Sequence, residues 1–347
     1  MYIYLSIAAA AALLIAAGFL YQLIGARRDR TRFTAPGRSI EIANGHQLYL
    51  LEKGSGGPTV LFEAGIAATN LNWFHIQETV SRFTHTVSYD RGGLGWSGPS
   101  ATARTPANCA AELRRLLQRA GIHPPYVLVG HSFGGLIMRR YAIDYPEDVS
   151  GVVLVDPMRC EEWPPLDTAK QSQIDRGKRL STVAVPIARF GLARLAITSL
   201  MPNPARCGRT GVSGTLATAA GPGGRHVFDR VTEEVRKMPC EIWPIIAAHW
   251  SRPAFYVGMR DHVTAVPDTV REMQFAEPIR DIPVVLMTPG NVQPLSPDCL
   301  RRIGTNVRQV IAQHSAHWIH LDEPDLVIDS IREMVATATA EPVAATV

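Results

Sequence analysis

The sequence predicts an α/β protein whose helices flank a doubly wound, mostly parallel sheet, and three observations carry that prediction. Short apolar runs alternate with helical patterns along most of the chain, which is the order that buries a parallel sheet between layers of helices. Asn44-Gly45 lies between two β-prone runs, as a two-residue hairpin turn requires, because both positions accept positive φ. Gly130-His131-Ser132-Phe133-Gly134-Gly135 joins an apolar run to a helical pattern, and so marks a sharp strand-to-helix turn.

With 347 residues, 46% of them hydrophobic and 19% charged, the chain is long enough for a large core and is neither a disordered tail nor a fibrous repeat. The net charge is +4, of which Arg27, Arg28, Arg30 and Arg32 against Asp29 supply +3. What remains is too little for the basic face that phosphate neutralisation needs, so nucleic acid is excluded as a partner. Five scattered cysteines, with no Cys-x-x-Cys pair, suggest neither a zinc site nor a disulfide framework. A single bond, for instance Cys207 with Cys240, remains open in an oxidising compartment.

Met1 to Ala26 carries no charge and is long enough to cross a bilayer, which takes about 20 apolar residues. No Lys or Arg precedes the apolar run, as a secretory signal would have it, so an uncleaved transmembrane anchor over 1–26 is the expectation and a cleaved signal the alternative. Tyr2, Tyr4 and Tyr21 near its two ends suit interfacial positions. The arginines that follow favour a cytoplasmic C-terminal part by the positive-inside rule. Residues 27–38 read as a polar linker ended by Pro36-Gly37, and the folded domain as 39–347.

Strands are expected over Ser39–Ala43, Gln47–Lys53, Thr59–Phe62, Thr86–Tyr89, Tyr126–Val129, Val152–Val155, Ile282–Met287 and Val307–Ala312. Helices are expected over Ala107–Ala120, where Leu113, Leu116 and Leu117 share a face, and over Phe133–Tyr145 and Pro324–Ala338. Between Val155 and Ile282 the alternation fails, and 157–281 reads as an inserted helical cap that divides the core into 39–156 and 282–339. Trp163, Trp243, Trp250, Phe255 and Tyr256 fall in it, as a pocket roof or as plain core.

Ser132 is the candidate nucleophile, because a turn this sharp exposes the hydroxyl and small residues at 130 and 134 let the backbone fold beneath it. At this point the chain resembles the α/β-hydrolase family, specifically esterase-like members with a cap, over residues 39 to 339. Asp90-Arg91-Gly92-Gly93-Leu94-Gly95-Trp96-Ser97 is similar to the family's turn after the fourth strand, where Asp90 and Arg91 are structural partners rather than catalysts. Glu63-Ala64-Gly65-Ile66 stands where the family more often has His-Gly; the resemblance implies an oxyanion hole from the backbone N–H groups of Ile66 and Phe133, for which the side chains do not matter.

Ser315-Ala316-His317-Trp318 resembles the loop before the last helix and implies His317 as general base, while His314 and His320 read as surface or helix-start histidines. The family's acid after the seventh strand is replaced here by Gln293, a neutral amide that cannot stabilise an imidazolium. Asp156, at the end of the sixth strand as in some members, is the expected acid, with Asp298 and Asp261 as alternatives and a solvated turn Asp before Pro157 as the bland reading of Asp156.

The resemblance implies a serine hydrolase that cleaves a carboxylic ester, which the N-terminal segment would anchor in a membrane, and nothing in the sequence suggests a cofactor or metal. Its partners would be a small ester or lipid-like substrate and the membrane. A ligand-binding member with little turnover, and a lipase-like, thioester or amide hydrolase, are the competing readings.

Overall fold

The computed structural model describes residues 1–159, 168–201 and 234–340. Its sheet has eight strands: β1 (Arg38–Ala43), β2 (His46–Lys53), β3 (Thr59–Glu63), β4 (Thr86–Tyr89), β5 (Tyr126–His131), β6 (Val149–Val155), β7 (Val284–Pro289) and β8 (Val307–Ala312). They lie in the order β1-β2-β4-β3-β5-β6-β7-β8. β1 and β2 form the expected hairpin, in which Gly45 takes φ 71° and donates to Glu41 Oε1 at 3.0 Å. β2 joins β4 antiparallel, and every pairing beyond it is parallel.

Alternate residues of the central strands feed two apolar layers. On one face Leu128 and Leu154 meet Leu113, Leu116 and Leu117 of the helix α3 (Pro106–Ala120) and Ile137 and Tyr141 of the helix α4 (Phe133–Asp144). On the other, Val127 and Val153 meet Trp73, then Ile76 and Val80 of the helix α2 (Phe74–Val80), and the inner face of a C-terminal helix (Pro324–Ala340), notably Ile328, Ile331 and Val335. Burial on both faces explains why these strands are unbroken apolar runs rather than alternating ones. From β3 the chain crosses to β4 on one side and returns to β5 on the other. That reversal opens a crevice at the carboxyl ends of β3 and β5, the place where open α/β sheets bind ligands.

Between β6 and β7 the described residues form helices: α5 (Thr168–Arg189), α6 (Leu192–Leu200), α7 (Trp243–Trp250) and α8 (Pro253–Gln274). The chain divides into two compact units, one of Met1–Ala35 with Gly177–Arg260 and one of Pro36–Arg176 with Asp261–Val347. These bounds are not those of a cap of 157–281. Trp243 and Phe255 are buried in the first unit, where Phe255 contacts both Trp250 and Tyr256. Trp163 lies outside the described residues.

The N-terminal helix α1 runs over Tyr2–Arg32, so the polar stretch expected as a linker is helical through Arg32. Arginine is a good helix former, and Arg30 and Arg32 in the last turn complement the negative end of the helix dipole. α1 is long and apolar enough to cross a membrane. Cys240 is disulfide-bonded, and Cys207, the partner the sequence suggests, lies outside the described residues.

Candidate active site

Ser132 sits between β5 and α4 with φ 53° and ψ −119°, a conformation that side-chain-bearing residues adopt only under strain. The neighbouring glycines are required by space. A Cβ at Gly130 would lie 2.6 Å from the Gly134 carbonyl oxygen, and one at Gly134 would lie 2.5 Å from that of Ala64. The turn is tied to the next strand by the Ser132 N–H donating to the Val155 carbonyl at 3.1 Å.

Phe133 is the first residue of α4, so its N–H is among the four that a helix start leaves without an intrahelical partner. The Cβ position of Gly65 is 3.6 Å from Ser132 Cβ, which brings the loop carrying Ile66 against the nucleophile candidate. The Ile66 side chain packs against the apolar cluster of Val266 and Val270 of α8 and Ile174 of α5.

Asp156 follows β6 directly, takes φ 39° and anchors its own N–H on the Met287 carbonyl at 3.0 Å. Its Oδ2 lies 2.6 Å from Nδ1 of His317, in the turn after β8. The structure thus joins the two residues expected as acid and base, although their sequence positions differ by 161. Asp298 is exposed and paired with Arg301 on its own short helix. Gln293 is exposed at the other end of that loop and accepts from Arg159 through its main-chain oxygen. Asp261 lies half-buried in α8.

Beneath His317 is a second ring layer. Nε2 of His131 lies 2.9 Å from the His317 carbonyl oxygen, a contact that requires His131 to carry its proton there. Burial, helped by His320 and His317, pushes His131 well below the ordinary histidine range, so the ring is neutral. His320 is at a helix start (Ile319–Asp322), one of its two expected readings, and is buried between the rings of Trp73 and His131, at 4.8 and 4.3 Å, rather than at the surface. His314 is exposed, as expected.

Arg91 has a larger part in this site than the sequence suggested. It is buried and pairs with Glu63, whose carboxylate also accepts from the Tyr89 hydroxyl. The same guanidinium donates to the carbonyls of Ala64, at 2.6 Å, and of Gly65, and its Nε donates to Nε2 of His262 at 3.0 Å. It also lies 5.6 Å from the centre of the Phe133 ring. Arg91 therefore holds the Ala64-Gly65 backbone that lies against the Ser132 turn, and burial holds the Glu63 carboxyl above its ordinary range despite the cation beside it. The signal of this network in the sequence was the resemblance that made Asp90 and Arg91 structural partners rather than catalysts.

A family model described as the alpha/beta hydrolase fold matches residues 58–176. An uncharacterized protein of Bacillus subtilis, YqjL, is 38% identical over 105 residues, 30% of this chain and 42% of that protein. An AB hydrolase superfamily protein of Gibberella zeae is 33% identical over 121 residues, 33% of this chain and 38% of the other. The chain thus spans less than half the length of these curated relatives. Among solved structures, the epoxide hydrolase CorEH superposes with a TM-score of 0.60 at 16% identity, covering 86% of this chain and 98% of that one. A mostly parallel eight-stranded sheet of this order, a strained serine turn after β5 and these likenesses together identify the architecture: the chain has the α/β-hydrolase fold.

Proposed function

We propose that the chain is a serine hydrolase that cleaves a carboxylic ester through an acyl-enzyme on Ser132. The observation that carries the reading is the 2.6 Å Asp156–His317 contact, at the strand ends where Ser132 occupies its strained turn. His317 takes the hydroxyl proton as Ser132 Oγ attacks the acyl carbon, and the N–H groups of Phe133 and Ile66 receive the oxyanion. Collapse of the tetrahedral intermediate expels the alcohol, protonated by His317, and water then releases the acid by the same steps in reverse order. Asp156 orients His317 through Nδ1 and stabilises the imidazolium that forms. Relatives of this fold that open epoxides use an aspartate nucleophile, so Ser132 argues against the chemistry named for CorEH.

The apolar residues around Ile66 favour an apolar acyl group, and we read α1 as a membrane anchor that serves a lipid-like ester. The disulfide at Cys240 favours an oxidising compartment over the cytoplasmic side that Arg27 to Arg32 suggest, and large domains are translocated largely regardless of flanking charge.

A fluorophosphonate should label the wild-type chain and not Ser132→Ala, and turnover of p-nitrophenyl esters should disappear in the variant and rise with acyl length in the wild type. Failure of a folded wild-type protein to label or turn over would overturn the hydrolase reading in favour of a ligand-binding one.

A further inference from the structure

We propose that the bend joining α5 to α6 is a second membrane attachment, seated in the lipid headgroup and upper acyl region of the leaflet that α1 leaves; this rests on the reading of α1 as an anchor. Three observations within the unit of Met1–Ala35 and Gly177–Arg260 carry it. The first is an apolar face left exposed among the described residues: Leu180, Val183 and Ile187 lie on one stripe of α5, Phe190 at the bend, and Leu192 and Leu195 on one stripe of α6. A contiguous apolar surface of this kind marks an interaction site.

The second is where this face meets α1. A Cβ at Gly18 would come 2.4 Å from the Phe190 carbonyl oxygen, and one at Gly191, which has φ 78°, would come 2.8 Å from both the Gly18 carbonyl oxygen and the Tyr21 ring. The contact is fixed one turn further on. Gln22, the residue of α1 that is buried, donates to the Ser251 carbonyl at 3.0 Å and accepts from Arg194 at 2.9 Å, and Arg194 pairs with Asp29 at 2.7 Å. Tyr2 to Tyr21 is about 20 residues, which at 1.5 Å each cross about 30 Å of hydrocarbon. Gln22 thus begins the polar side, and Phe190 and Gly191 sit at the last turn of the span. An exposed apolar bend held at that depth lies in lipid if α1 does.

The third is charge. Arg189 beside the bend and Arg27, Arg28, Arg30 and Arg32 on α1 beyond Gln22 are exposed, matching anionic headgroups. α5 and α6 meet at 96°, and α6 has 9 residues, far short of a span, so the bend lies in the interface rather than crossing it.

The test uses the full chain in vesicles of phosphatidylcholine and phosphatidylglycerol, with Cys299→Ser removing a part-exposed thiol. Nitroxide labels are placed at Leu192→Cys and Leu195→Cys, at Leu14→Cys within α1 and at Asp298→Cys as an aqueous reference. Collision with oxygen, which concentrates in bilayers, is compared with collision with a water-soluble nickel chelate. An oxygen-to-nickel ratio several-fold higher at 192, 195 and 14 than at 298 is the expected result. A high ratio at 14 with an aqueous one at 192 and 195 overturns the second attachment and leaves the anchor standing. Aqueous ratios at all three overturn both, and shielding of 192 and 195 from both reagents overturns the proposal in favour of a protein covering the face.

Discussion

Asp156 shows how one residue can be placed by backbone and used through its side chain. Its N–H is held by β7 and its φ of 39° turns the carboxylate away from the strand end, onto Nδ1 of His317. That arrangement costs strain, of order 1–3 kcal/mol for an ordinary residue in sparsely populated φ/ψ space, and persists because the strands on both sides over-determine it. Asparagine in its place keeps the size but can no longer stabilise an imidazolium, and its amide favours the wrong tautomer. Asp156→Asn should lower kcat on p-nitrophenyl esters by on the order of 10⁴-fold with an unchanged melting temperature. Asp298→Asn, at an exposed site paired with Arg301, should leave kcat within a factor of about two. Equal effects of the two substitutions would remove Asp156 from the acid's role.

At the scale of elements, the site depends on how closely α4 approaches β3. The Cβ position of Gly134 is 2.5 Å from the Ala64 oxygen and 2.6 Å from the Glu63 oxygen, both backbone atoms that cannot step aside. Gly134→Ala should therefore push the start of α4 off the strand, at about 1–3 kcal/mol in chemical unfolding, and abolish fluorophosphonate labelling in protein that remains folded. Normal labelling would mean that the turn tolerates the shift. The elements themselves were legible because strands buried on both faces and helices with one apolar face write periodic patterns into the sequence. The end of α1 was not, since arginines mark polarity and not the end of a helix. Ser132 and His317 could be picked from local pattern, and Asp156 from its place at a strand end. Arg91 with His262 could not, because a contact across 171 positions leaves no trace in spacing. The helix-start place of His320 was legible but its burial was not, for a related reason: that burial is made by Trp73 and His131, both remote in sequence.

Over the whole molecule, buried titratable groups oppose each other in acid. His131 and His249, the latter pushed down to about 3 by burial, stay neutral in the fold while an unfolded chain would protonate them near pH 6.5, so their contribution falls as pH drops below that value. Asp90 works the other way. It is fully buried behind β4, where it accepts from the N–H groups of Asn70 and Trp96 at 2.9 Å each, and burial raises it from 3.8 to about 7. A folded-state value above the unfolded one means that its contribution is complete below about pH 4 and is lost as pH rises through 7. Asp90→Asn removes that titration alone, and the constant loss of a hydrogen bond cancels when two pH values are compared. The destabilisation measured by urea unfolding should be larger at pH 5 than at pH 7, by about 1.4 kcal/mol for each unit between them. A destabilisation that does not change with pH would mean that the two N–H bonds hold Asp90 at the ordinary carboxylate value, outweighing its burial.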